Sequence, residues 1–148
     1  TRARREMLDA VARLGRERAG LRVDLRLTDG FAASEASDPA AYSRALMDAR
    51  VCLAPRGTSV ETFRVFEGLR CGCVFLADRL PRHWFYDGAP IVQLDRWRDL
   101  PRALAPFADP AALEEQHRRA LDWWRTRCSP AALGRFLAER VDRPGAAR

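Results

Sequence analysis

Two short apolar-rich runs, "RVCLA" (50–54) and "CVFLA" (73–77), flank a turn and a helix-patterned stretch, and this arrangement restricts the fold more than any other feature. Each run is too short for a helix and lacks the polar alternation of a half-buried strand. Both therefore read as strands buried on two faces. The interval between them is too long for a hairpin, and residues 59–71 within it have helical periodicity. Parallel neighbours need such a crossover helix. The chain must then build a parallel sheet covered by helices on both sides.

The rest of the chain extends this pattern. Residues 2–19 carry Met7, Leu8, Val11 and Leu14 at helical spacing among Arg and Glu, and Gly20 stops the helix. "LRVDLRLT" (21–28) alternates, with Leu21, Val23, Leu25 and Leu27 on one side, and predicts a half-buried strand. Asp38 before Pro39 predicts a helix running to about Asp48. "PIVQL" (90–94) predicts a fourth strand. Helices are expected near 99–107, 110–127 and 130–141, the last two opened by Asp109-Pro110 and Ser129-Pro130. Residues 142–148 read as a frayed tail. The 148 residues suit one domain with an ordinary core. The expected class is α/β, a doubly wound Rossmann-like parallel sheet with helices on both faces. In such sheets ligands lie beyond the carboxyl ends of the strands, which puts Asp29 and Gly30 near a candidate nucleobase position.

Charge narrows the partners. The formal net charge is +6, and all 26 basic residues are Arg, with no Lys. Asn is also absent, which reads as a GC-rich, bacterial coding bias. A basic chain favours anionic partners. The Arg residues are scattered rather than clustered in a stripe, so nucleic acid is not the expected partner. None of the apolar runs approaches the roughly 18 residues of a membrane span. Cys52, Cys71, Cys73 and Cys128 form no C-x-x-C pair, and His83 and His117 are far apart, so zinc spacing is absent. Cys52 and Cys73 read as small core residues in a reducing, cytoplasmic setting.

Between the two apolar runs lies "PRGTS" (55–59). It leaves the carboxyl end of a strand and enters a helix, the position where free N–H groups and the helix dipole attract an anion. Gly57 would admit a ligand close to the backbone, Thr58 and Ser59 offer hydroxyls, and Arg56 offers a fork suited to phosphate. A capping box, Thr58-x-x-Glu61, explains two of these residues equally well. On the helix, Arg64 and Glu67 share one side. They read either as a solvated ion pair or as a diphosphate cation and a ribose acceptor. Val60, Phe63, Phe66 and Leu69 are the expected buried contacts. Gly68 in mid-helix costs roughly 1 kcal/mol against Ala, which implies close packing or a close approach there.

Taken in order, Tyr42, Cys52, Leu53, Pro55, Gly57, Arg64, Glu67, Gly72, Cys73 and Val74 resemble the pattern of the exostosin-like glycosyltransferases over residues 42–97. Phe75 stands where that pattern has Pro, and Gly68 where it has Ala. The resemblance implies the nucleotide-sugar-binding, C-terminal half of a GT-B enzyme. Such an enzyme is metal-independent and needs no cofactor. It transfers a sugar from a nucleotide diphosphate sugar, UDP-sugar by resemblance, to a glycan or other hydroxyl acceptor. The acceptor-binding half is then expected outside residues 1–148, and with it the general base. By the same resemblance Arg64 faces the diphosphate, Glu67 the ribose, and Arg56, Gly57, Thr58 and Ser59 hold phosphate. The setting is the cytoplasm or the inner face of a membrane.

Asp78, His83 and Trp84 follow the second apolar run and are candidate cleft or sugar contacts, with Trp84 and Phe85 able to stack on a ring. The same aromatics serve equally to pin a long loop to the body. Two rival readings are a non-catalytic Rossmann-like nucleotide-binding or protein-interaction module and, on charge alone, a nucleic-acid-binding domain.

Overall fold

The computed structural model of the chain describes residues 1–17, 22–25 and 39–141. The helices are α1 (Arg2–Glu17), α2 (Pro39–Asp48), α3 (Phe63–Arg70), α4 (Leu100–Leu104), α5 (Pro110–Trp123) and α6 (Pro130–Val141). The strands are β1 (Val51–Ala54), β2 (Val74–Asp78) and β3 (Ile91–Leu94). They form one parallel sheet in the order β1-β2-β3, with Cys52 opposite Phe75 and Leu76 opposite Val92.

The pleat explains why β2 is apolar throughout. Val74 and Leu76 point to one face, where they meet Met7, Ala10 and Val11 of α1 together with Trp97 and Leu100. Phe75 and Ala77 point to the other, where they meet Val65 and Leu69 of α3 and Ala120 and Trp123 of α5. Val74, Phe75 and Leu76 are fully buried. Each such large apolar side chain contributes about 1.5–3 kcal/mol relative to exposure. The expected α/β class, with a parallel sheet covered on both faces, is therefore what the chain adopts.

Two expectations need correction. Residues 22–25 of the expected strand 21–28 form no strand, and Val23 and Leu25 are 46% and 48% exposed. Their alternation gains nothing without a sheet edge to pair with. The remainder of that segment lies outside the described residues, as do Asp29, Gly30, Asp38 and the tail 142–148. Second, the helix expected over 59–71 begins only at Phe63. The described strands run in sequential order, β1-β2-β3, in a small parallel sheet flanked by helices. Among those residues no helix is long and apolar enough to cross a membrane.

Candidate functional site

The site begins where β1 ends. Ala54 and Pro55 are buried, and the chain turns outward at Arg56. The Arg56 N–H donates to Asp78 Oδ2 at 2.6 Å, and the Trp97 indole N–H donates to the same oxygen at 3.2 Å. Asp78 thus ties the ends of β1 and β2 to the segment after β3. One of its carboxylate oxygens serves the scaffold rather than a ligand.

Residues 57–60 form a bend, not the first turn of a helix. The Gly57 N–H donates to Ser59 O at 3.1 Å, and Ser59 Oγ accepts the Glu61 N–H at 3.1 Å. The Glu61 carboxylate accepts from the Tyr86 hydroxyl at 2.6 Å instead of folding back on Thr58. With Glu61 so engaged, the expected Thr58–Glu61 capping box does not form, and Thr62 becomes the N-cap of α3. The Thr62 hydroxyl oxygen is buried without a hydrogen-bond partner. Gly57 does not need a left-handed backbone, because only Gly72 and Gly88 show positive φ among the described residues.

A basic residue that the sequence reading missed joins this bend. Arg4 of α1 places Nη2 3.3 Å from the point where a Cβ on Gly57 would stand. The Thr1 hydroxyl donates to Arg56 O at 3.0 Å, so the first turn of α1 lies beneath the bend. No local pattern signals Arg4, since it reaches the bend only through the packing of α1 on the sheet. Arg56, Thr58 and Ser59 are exposed.

On α3, Val65, Gly68 and Leu69 face the core, and Arg64 is exposed. Phe63, expected in the core, is 84% exposed. The buried face of α3 is set by Val65, Gly68 and Leu69, and Phe63 at its first position lies off that face. Glu67 is half-buried and accepts from the Tyr42 hydroxyl of α2 at 2.7 Å. Arg64 forms no ion pair among the described residues. The ion-pair alternative for Arg64 and Glu67 is therefore not adopted. Burial, and then the bond to Glu67, raises the Tyr42 pKa above the ordinary phenol value, so its proton remains available to donate. Burial, and then the neighbouring Cys73, likewise push the Cys52 thiol up to about 12, with an opposing influence from Arg64.

A separate open groove of about 750 Å³ runs beside the loop after β2, where Arg82, His83, Trp84, Tyr86 and Asp87 line it. His83 and Trp84 meet there, whereas Asp78, Arg64 and Glu67 do not line it. His83 Nδ1 accepts the Phe85 N–H at 3.3 Å and so caps the short turn Trp84–Tyr86. Trp84 is 48% exposed, yet it stacks on Phe136 of α6 with centroids 5.4 Å apart. Pinning of the loop is thus part of what these aromatics do. Tyr86 connects the groove to the bend through Glu61. Among the described residues no group of three or more His, Cys, Asp or Glu side chains has the arrangement to hold a metal ion. A scan against protein-family models and searches of curated proteins and of solved structures each return no match for the chain.

Proposed function

We propose that the chain is the donor-binding half of a GT-B glycosyltransferase similar to the exostosin-like enzymes, and that it binds a nucleotide diphosphate sugar. One observation carries this reading. Arg64, without an acidic partner among the described residues, stands one turn from a carboxylate that Tyr42 holds. A helix-surface ion pair would instead have joined the two charges to each other.

In this reading Arg64, Arg56 and the N–H groups of Thr58 and Ser59 hold the diphosphate, with Arg4 beside them; the Gly57 N–H is engaged by Ser59 O within the bend. Glu67 accepts from the ribose hydroxyls. The bond from the anomeric carbon to the diphosphate breaks as the acceptor oxygen bonds to that carbon. Negative charge develops on the departing diphosphate, and fixed guanidinium forks stabilise it more in the transition state than in the ground state. The acceptor proton passes to a base supplied from outside residues 1–148. His83 and Trp84 in the groove would contact the sugar or the acceptor.

Calorimetric titration with UDP, and with GDP, ADP and CDP as comparisons, tests the reading. UDP is expected to bind. Arg64→Ala and Glu67→Ala, each verified as folded by circular dichroism, are each expected to weaken binding by about tenfold or more, the range for a hydrogen bond to a charged group. Binding of no nucleotide, or unchanged binding by both variants, would return the two charges to the role of surface residues.

A further inference from the structure

Tyr42 belongs to α2, outside the β1–α3 segment that forms the diphosphate and ribose contacts proposed above. Its hydroxyl nevertheless makes the 2.7 Å bond to Glu67 Oε2 that sets the direction of that carboxylate. A glutamate on a helix surface has several rotamers, and fixing one costs conformational entropy. Arg64, one turn away on the same helix, offers an obvious alternative partner. A carboxylate that swung onto it would remove both the cation and the acceptor from use. The phenol prevents this: it occupies one carboxylate oxygen and leaves Oε1 to accept from a ligand. A hydroxyl donor suits that role, because it bonds to a carboxylate strongly without adding charge.

We propose that Tyr42 is a positioning residue for ribose recognition, holding Glu67 away from Arg64 and directed at the hydroxyl pair of a nucleoside diphosphate. The inference rests on the donor-binding reading. It adds a specificity: the chain discriminates ribose from a sugar lacking those hydroxyls, and Tyr42 sets the size of that discrimination.

The test compares UDP with 2′,3′-dideoxy-UDP by calorimetry on the 148-residue chain. The parent chain is expected to prefer UDP by about tenfold or more, because the dideoxy analogue leaves Oε1 of the carboxylate without a donor. Tyr42→Phe keeps the ring and removes only the hydroxyl. It is expected to bring the two affinities to within about twofold by weakening UDP alone. Glu67→Gln should lose the same preference, and the double variant should lose no more than either single one, the mark of two groups acting as a unit. Arg64→Ala should weaken both nucleotides alike and keep their ratio. If UDP binds and Tyr42→Phe keeps the parent ratio, or the two single losses add in the double variant, the assignment to Tyr42 is overturned and the donor-binding reading stands. If UDP does not bind the parent chain, both are overturned.

Discussion

At the scale of single residues, Gly68 shows what a helix glycine can do. A Cβ built there would lie 2.5 Å from Phe75 Cδ2 and 2.8 Å from Phe75 Cε2. Phe75 is fully buried in the middle strand, so its ring has no space to move aside. Gly68 and Phe75 therefore pack directly on each other: the ring in the strand is accommodated by the missing side chain in the helix. Gly68→Ala gains about 1 kcal/mol of helix propensity. Forcing a methyl group into a packed core costs about 1–3 kcal/mol. The clash here is with a ring rather than a flexible chain end, and it should prevail. Urea denaturation is expected to show a net loss of about 1 kcal/mol or more. In a Phe75→Leu background the same change should be neutral or stabilising. A gain in stability from Gly68→Ala alone would mean that the helix and sheet separate easily, and that the glycine serves something other than packing.

At the scale of elements, helix starts divide into those the sequence signals and those decided by tertiary partners. Asp109 accepts the Ala111 N–H at 3.0 Å with Pro110 in the first turn, and Ser129 Oγ accepts the Ala132 N–H at 3.1 Å. Both caps were legible, because cap and first turn are adjacent in sequence. Asp109→Ala should cost about 1 kcal/mol in thermal or urea unfolding. Thr58 looked like a cap by the same local rule. Its partner Glu61 is instead taken by Tyr86, 25 residues later, so Thr58→Ala should leave stability within about 0.5 kcal/mol of the parent. A loss equal to that of Asp109→Ala would restore the capping box. The strands at 51–54, 74–78 and 91–94 were legible from apolar runs, but only the middle one is buried on both faces; Val51, Cys52 and Leu53 at one edge and Ile91 and Val92 at the other are half-buried, and Gln93 is exposed. The segment 21–28 had the right alternation, but residues 22–25 have no sheet neighbour, and pairing is not written in a strand's own sequence. Within the candidate site, Arg64 and Glu67 were legible from helical spacing. Neither the hydroxyl of Tyr42 on Glu67 nor the approach of Arg4 to Gly57 was, because both arise from packing between distant segments.

At the scale of the whole molecule, a compositional bias gives stability an unusual dependence on pH. Every basic side chain is Arg, so no lysine titrates in the alkaline range, which is left to four Cys and two Tyr. Burial pushes Cys52 up to about 12, and Cys73 and Cys128 up to about 11, from an ordinary 9.0. The hydroxyls of Tyr42 and Tyr86 are also raised, first by burial and then by their bonds to Glu67 and Glu61. In each case folding favours the protonated form. The unfolded chain therefore releases its thiol protons near pH 9, while the folded chain keeps them to higher pH. Above that point the unfolded state binds fewer protons, so stability falls as pH rises. The contribution is fully present below about pH 9 and is lost through the interval from about 9 to 12. Urea midpoints across that interval should fall steadily, and Cys52→Ala should show a shallower decline, because it removes the thiol most strongly shifted. Guanidinium charge stays constant throughout, so loss of ion pairs cannot produce the effect. A midpoint that stays level to about pH 11 would mean that the thiols between helix and sheet meet water readily, and that this core opens as a unit at little cost.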